Sequence, residues 1–213
     1  MRMRKLKWAK DHLEQSQVLI TNPSEISGTW NEVLKSDRIQ VEVGSGKGDY
    51  WTKMAAMYPE IGFIGVEKNE SAAALSTRKY EDNPLSNMKF IYQDAKDIDT
   101  WFKSGEVDVI HLNFSDPWPK KRTQKRRLSD SSFIQKYEKI LKDDGRIIMK
   151  SDNAALFEFT LQEFSRLNWL IQEVWVDFRS QEHDEDAISE YEQRFMEKGQ
   201  PIYRVIFQKR HSE

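Results

Sequence analysis

Short apolar, β-branched runs alternate along this chain with longer amphipathic ones, the pattern of βαβ units built around a parallel sheet. Strands are predicted over 39–43, 63–67, 89–92, 107–112 and 146–150. The run at 107–112 is apolar enough for a central strand buried on both faces. A helix over 49–57 is stopped by Pro59, and one through Ala72, Ala73, Ala74 and Leu75 must end before Pro84. A short helix opens at 94–97. Another covers 133–141 and ends at Asp143-Asp144-Gly145. The spacing of Leu156, Phe159, Leu161 and Phe164 predicts a helix over 154–167. Two further extended runs, 170–178 and 202–208, flank an acidic, helix-like stretch. No repeat, low-complexity tract or linker interrupts the pattern, so residues 1–213 read as one domain, with 1–30 as an N-terminal arm.

Composition excludes several classes. The chain has 213 residues and no cysteine, which removes disulfides, cysteine-ligated zinc, iron–sulfur clusters and a thiol nucleophile. Charged residues make up 32%, and no apolar run approaches the roughly 18 residues of a membrane span. The basic N-terminus lacks the apolar core of a signal peptide, so a cytoplasmic protein is expected. The net charge of −2 hides strong local fields. Arg2, Arg4, Lys5, Lys7 and Lys10 give residues 1–10 a local +5. Lys120, Lys121, Arg122, Lys125, Arg126 and Arg127 give residues 119–127 a local +6. An acidic stretch at 182–192 carries −6. For phosphate contact, local field matters more than the sum.

The candidate chemistry starts at the turn after the first strand, Gly44-Ser45-Gly46-Lys47-Gly48. Glycines let backbone approach a ligand closely, and the following helix N-terminus favours negative groups. Glu67, ending the second strand, can accept both hydroxyl protons of a ribose bound across the strand ends. A nucleoside-bearing cofactor follows. The dinucleotide fingerprint wants its third glycine at position 49, where Asp49 would repel a pyrophosphate. Glu42, just before the turn, suits a cationic methionine moiety better than a diphosphate. These features select S-adenosylmethionine. Asp94 is placed either to accept from an adenine amino group or simply to cap a helix.

The fourth strand runs into Asn113-Phe114-Ser115-Asp116-Pro117-Trp118-Pro119-Lys120-Lys121-Arg122. Ligands of open α/β sheets bind beyond the carboxyl ends of strands, so this loop should face the transferred group. Two prolines around Trp118 stiffen it and restrict Asp116, which suits the orienting of a base edge. The basic run that follows would hold phosphates on the same side.

With these residues in view, the chain resembles the bacterial tRNA (guanine-N7)-methyltransferases. The loop from Asn113 to Leu128 looks like their signature. The glycine turn, Glu67, Asp94, Lys150-Ser151-Asp152-Asn153 and Ser189-Glu190-Tyr191-Glu192 fall in matching order. The resemblance implies a class I S-adenosylmethionine-dependent methyltransferase fold (Rossmann-like α/β), a seven-stranded, mostly parallel sheet flanked by helices, its last strand antiparallel. It implies methylation at N7 of a variable-loop guanine, nucleotide 46, in tRNA.

The same resemblance implies cofactor contacts at Glu42, Gly44, Gly46, Glu67, Asp94 and Asp116, with Asp116 also catalytic. It implies substrate contacts at Lys120, Asp152, Ser189, Glu190, Tyr191 and Glu192, and RNA contacts at Arg122, Thr123, Gln124, Lys125, Arg126 and Arg127. Thr123 stands where the family usually has histidine, and Ser189 where it has threonine. Relatives of this kind include homodimers. Guanine N7 is an unprotonated lone pair, so transfer to it needs no general base. Asp116, Asp152 and Glu192 are then expected to accept from guanine N1–H and the 2-amino group.

His12, His111, His183 and His211 lack metal-ligand spacing, and no metal is expected. A nicotinamide oxidoreductase would leave the basic loop unexplained, and a non-catalytic RNA binder would leave the glycine turn and Glu67 unexplained. An exocyclic-amine methyltransferase would carry a second proline where Trp118 stands.

Overall fold

The computed structural model describes residues 4–210 and divides into two compact units, one up to Lys103 and one from Ser104. Arg2 and His211 lie outside the described residues.

In the first unit, α1 (Ala9–Gln15) and α2 (Trp30–Leu34) precede the strands. Then come β1 (Ile39–Val43), α3 (Asp49–Met57), β2 (Gly62–Val66), α4 (Glu70–Asp82) and β3 (Met88–Ile91). β1 pairs with β2 and β2 with β3, both parallel. Every residue of β2 is buried, as a central parallel strand requires. Much of the segment expected as an arm is packed onto this unit. Ala9, Leu13 and Val18 are buried, α1 lies on α4, and the Leu6 amide donates to Ser71 Oγ at 2.9 Å. Trp30 is fully buried, stacks on Phe102 and donates its indole N–H to the Trp101 carbonyl at 2.8 Å.

The second unit contains β4 (Val107–Asn113), α5 (Ser131–Ile140), β5 (Leu141–Ser151), α6 (Ala154–Arg166), β6 (Leu170–Trp175), α7 (Glu190–Met196) and β7 (Tyr203–Gln208). β4 and β5 are parallel, and β7 runs antiparallel to both β5 and β6, inserted between them. The strand order is β3-β2-β1 in the first unit and β4-β5-β7-β6 in the second, seven strands in all with β7 antiparallel, as the α/β fold expected from the resemblance requires.

Two local expectations are corrected. The helix predicted to stop at Asp143-Asp144-Gly145 ends at Ile140, and the chain turns extended at Leu141, with Asp143 and Asp144 exposed in an irregular stretch of β5. On α6 the fully buried positions are Leu156, Thr160 and Phe164, while Phe159 and Leu161 are only half-buried. A Thr160 hydroxyl can sit in the core because it bonds the Leu156 carbonyl at 2.8 Å and Ser129 at 2.7 Å. Among the described residues, no helix is long and apolar enough to cross a membrane.

Candidate active site

In the first unit the turn after β1 is held from below. The amides of Gly44 and Ser45 both donate to the Val66 carbonyl, at 2.8 and 2.9 Å. Gly46 (φ 58°) and Gly48 (φ 73°) adopt the left-handed region that favours glycine. They do so for different reasons. A Cβ on Gly48 would meet Ser76 Oγ at 1.9 Å, so this glycine lets α3 approach α4. A Cβ on Gly46 would meet nothing within 4 Å, so this glycine faces open space.

Glu67 closes the turn. Its Oε2 accepts from the Gly46 amide at 3.0 Å and its Oε1 from the Asn69 amide at 2.7 Å. Burial raises its pKa, against the opposing pull of those amides and of Lys68. Glu42 is buried at the end of β1. Asp94 adopts the capping role: Oδ1 accepts from the Lys96 amide at 3.1 Å, and Oδ2 faces Lys68 at 3.5 Å. Asp49 is paired with Lys79 at 2.9 Å and Lys53 at 3.4 Å. The residues fit S-adenosylmethionine. The Ser45 hydroxyl is buried in the turn without a hydrogen-bond partner among the described residues, and the space over Gly46 is open.

The second unit carries the loop after β4. Its backbone is strained at two non-glycine residues, Phe114 (φ 49°) and Trp118 (φ 38°). The Phe114 amide donates to the Lys150 carbonyl at 2.8 Å, tying the loop's start to β5. Its far end is tied by Arg127, whose guanidinium donates to the carbonyls of Pro117 at 2.8 Å and Trp118 at 3.3 Å and lies 4.2 Å over the Phe159 ring. Asp116 is left exposed.

Tyr191, 47% exposed at the start of α7, packs on Phe114 and Phe195. Its pKa is raised by burial and then by the nearby charges of Asp152 and Asp116. Asp152 is half-buried, and desolvation raises its pKa as well.

Lys120, Lys121, Arg122, Lys125 and Arg126 are exposed around a 3-10 turn over Lys121–Arg126, whose first residues are held by the Thr123 hydroxyl on the Lys120 carbonyl at 2.8 Å. Arg126 also lies over the Trp118 ring. Arg127 departs from the RNA-facing expectation: it is 6% exposed, and its guanidinium is committed to the loop.

Ser189 is buried and caps α7, accepting from the Glu192 amide at 3.0 Å. Glu190 is exposed and pairs with Arg194. Glu192 does not reach the surface at all. It is fully buried, with Oε2 on Lys150 Nζ at 2.9 Å and Oε1 on Arg179 Nε at 2.7 Å. Its expected bond to guanine does not match this placement. Sequence reasoning missed Arg179 and Asp186, because they sit in an irregular stretch without a motif. Among the described residues no acidic or histidine cluster could hold a metal ion.

A family model described as "Putative methyltransferase" matches residues 36–205. A tRNA (guanine-N(7)-)-methyltransferase of Streptococcus mutans is 44% identical over 207 residues, covering 96% of this chain and 98% of its own length. The chain belongs to this methyltransferase family. The Streptococcus sanguinis relative of the same name is 42% identical with the same coverage. A solved antibiotic-related methyltransferase superposes with a TM-score of 0.63 at 17% identity, covering 84% of this chain and 92% of its own. An S-adenosylmethionine-dependent methyltransferase from Aquifex aeolicus does so with 0.58 at 12%, covering 96% and 99%. These two likenesses establish the fold. The family member described here is an S-adenosylmethionine-dependent methyltransferase, as the glycine turn and Glu67 anticipated.

Proposed function

We propose that this chain methylates N7 of a tRNA guanine, at nucleotide 46 of the variable loop, with residues 1–213 acting as one methyltransferase domain in the cytoplasm. The observation that carries this reading is the packing of Tyr191 on Phe114, two residues before Asp116, with the charges of Asp116 and Asp152 nearby, in a unit that also exposes five cations after the loop. Carboxylates that accept hydrogen bonds suit the N1–H and 2-amino donors of guanine, and the cations suit its phosphates. S-adenosylmethionine supplies a methyl group activated by the sulfonium. Glu67 would hold the ribose hydroxyls, Asp94 the adenine amino group and Glu42 the cationic methionine end, with Gly44 and Gly46 giving the backbone room. The resemblance gives Asp116 a second role at the cofactor.

Asp116 and Asp152 orient the base, and their bonds to it strengthen as positive charge moves onto the purine. No proton leaves N7, so no residue acts as a general base. Lys120, Ser189, Glu190 and Tyr191 line the substrate side, while Arg122, Thr123, Gln124, Lys125 and Arg126 follow the RNA backbone. The homodimer expected from the resemblance belongs to the same proposal, and the particle mass in solution tests it. The reaction itself is tested by incubating the protein with labelled S-adenosylmethionine and unmodified bulk tRNA, then resolving the nucleosides. Label in N7-methylguanosine is expected; label in another nucleoside, or in none, overturns the proposal.

A further inference from the structure

Four ionised side chains meet inside the second unit, out of contact with water. Lys150 Nζ lies 2.5 Å from Asp186 and 2.9 Å from Glu192, and Arg179 pairs with both acids. The side chains of Lys150 and Glu192 are 0% exposed and those of Arg179 and Asp186 5%. Lys150 Nζ and Arg179 also donate to the Ala187 carbonyl, at 3.3 and 3.4 Å. Burying four charges is costly even when they are paired, and apolar side chains of similar volume would often be as stable or more so. What such a group supplies that an apolar one does not is a fixed, directional geometry.

Its members sit where that geometry has consequences. Lys150 is near the end of β5, two residues before Asp152, and its carbonyl receives the Phe114 amide that starts the Asp116 loop. Glu192 directly follows Tyr191, and its amide is the one capped by Ser189. Asp186 and Arg179 lie in the segment leading into α7. One cluster therefore fixes the chain positions from which Asp116, Asp152 and Tyr191 project.

We propose that Lys150, Arg179, Asp186 and Glu192 form a buried ionic bridge that sets Tyr191 and Asp152 against the guanine, with Glu192 acting as a positioning residue that never touches the base. The proposal rests on the guanine-methylation reading above. It separates two roles for Glu192 that predict different chemistry. An acceptor on the base owes its effect to a hydrogen bond with guanine. A positioning residue owes its effect to charge balance with Lys150 and Arg179.

The test uses the full chain as wild type, Glu192→Gln, Lys150→Met, the double variant Lys150→Met/Glu192→Gln, and Asp152→Asn. Each is assayed on tRNA transcripts carrying guanine or inosine, which lacks the 2-amino group, at the target nucleotide. Hydrogen exchange over α7 is followed in parallel. Glu192→Gln leaves two buried cations facing one acid. It should speed exchange over α7 and lower kcat by about a hundredfold, the effect of a misplacement near 1 Å. The guanine-to-inosine ratio of kcat/KM should stay at the wild-type value, whereas Asp152→Asn should lower it. Adding Lys150→Met restores charge balance and should return both exchange and kcat most of the way to wild type, a strongly non-additive cycle. The bridge is overturned if Glu192→Gln lowers the guanine-to-inosine ratio as Asp152→Asn does, or if the double variant is no better than the single one. A wild-type chain that methylates neither transcript overturns the functional reading instead, and the exchange cycle then decides the bridge without it.

Discussion

The guanidinium of Arg127 donates from Nε to the carbonyl oxygen of Pro117 at 2.8 Å, so the last cation of a six-cation run points into the protein while the other five face water. Two kinds of work are thereby divided within nine residues. Neutralising Lys125 and Arg126 should weaken tRNA binding and flatten its dependence on salt, the logarithmic slope falling by about one for each phosphate no longer neutralised. Arg127→Gln should leave that slope unchanged and instead lower kcat, because the strained backbone at Trp118 loses its tie. Binding titrations across a salt series, beside single-turnover rates, distinguish the two; an altered slope in Arg127→Gln would return it to the RNA interface.

Asp116 is exposed and its loop is held by the Phe114 amide and the Arg127 guanidinium. Asp116→Ala should therefore leave Tm within a few degrees of wild type while methylation falls by orders of magnitude. Near-normal turnover in a folded variant would remove Asp116 from the reaction.

Asp152→Asn should move activity and stability in opposite directions. Desolvation raises the folded-state pKa above the unfolded one, so the folded protein binds this proton more tightly and loses stability as pH rises through that interval. At neutral pH the carboxylate is thus a burden on the fold. The asparagine variant should melt higher than wild type at pH 7, lose that advantage below about pH 4, and methylate far more slowly. Equal melting curves at both pH values would argue against a desolvated Asp152.

His111 behaves in the reverse sense. It is buried in β4 beside Asp186, Lys150, Arg204 and Arg146, and burial lowers its pKa to about 3. The unfolded chain takes up a proton near pH 6.5 that the folded one refuses, so stability contributed by neutral His111 is lost as pH falls between these values, at up to about 1.4 kcal/mol per pH unit. His111→Gln should flatten the fall of unfolding free energy between pH 6.5 and 4.5, measured by urea titration.

The glycines of the turn should separate cleanly. Gly48→Ala forces a methyl onto Ser76 and should cost about 2 kcal/mol or more of stability. Gly46→Ala meets no atom of the protein, so it should cost about 1 kcal/mol in backbone strain and act chiefly on S-adenosylmethionine affinity. Calorimetry of cofactor binding alongside thermal melts reads both effects.

The parts of this molecule that depend on local pattern were legible in the chain. The five parallel-sheet strands follow from apolar runs, and the turn at Gly44–Gly48 from its glycines. Glu67 was found because its position at a strand end carries its chemistry. Burial was the blind spot. Arg127 is indistinguishable from Arg126 in a basic run, and only the fold turns one inward. Asp186 and Glu192 look like any two of six acids in an acidic stretch, yet they are the two that meet Lys150. The segment ahead of β1 read as an arm because its basic residues masked the apolar face of Ala9, Leu13 and Val18. The place of β7 between β5 and β6 follows from pairing across the sheet, which periodicity along one strand does not encode.

That insertion has a consequence for the nascent polypeptide. β6 finds its hydrogen-bonding partner in β7, and β7 in β5, so the ladder cannot be completed until residues 203–208 have left the ribosomal tunnel. Until then Leu170, Ile171 and Val174 stand on a strand with no neighbour. Synthesis thus passes through a window in which a partly made chain is vulnerable to proteases and to pairing with other strands. Limited digestion of ribosome-bound chains, tethered through added C-terminal linkers of two lengths that hold residues 203–208 inside or outside the tunnel, should show that vulnerability disappear once the strand is free.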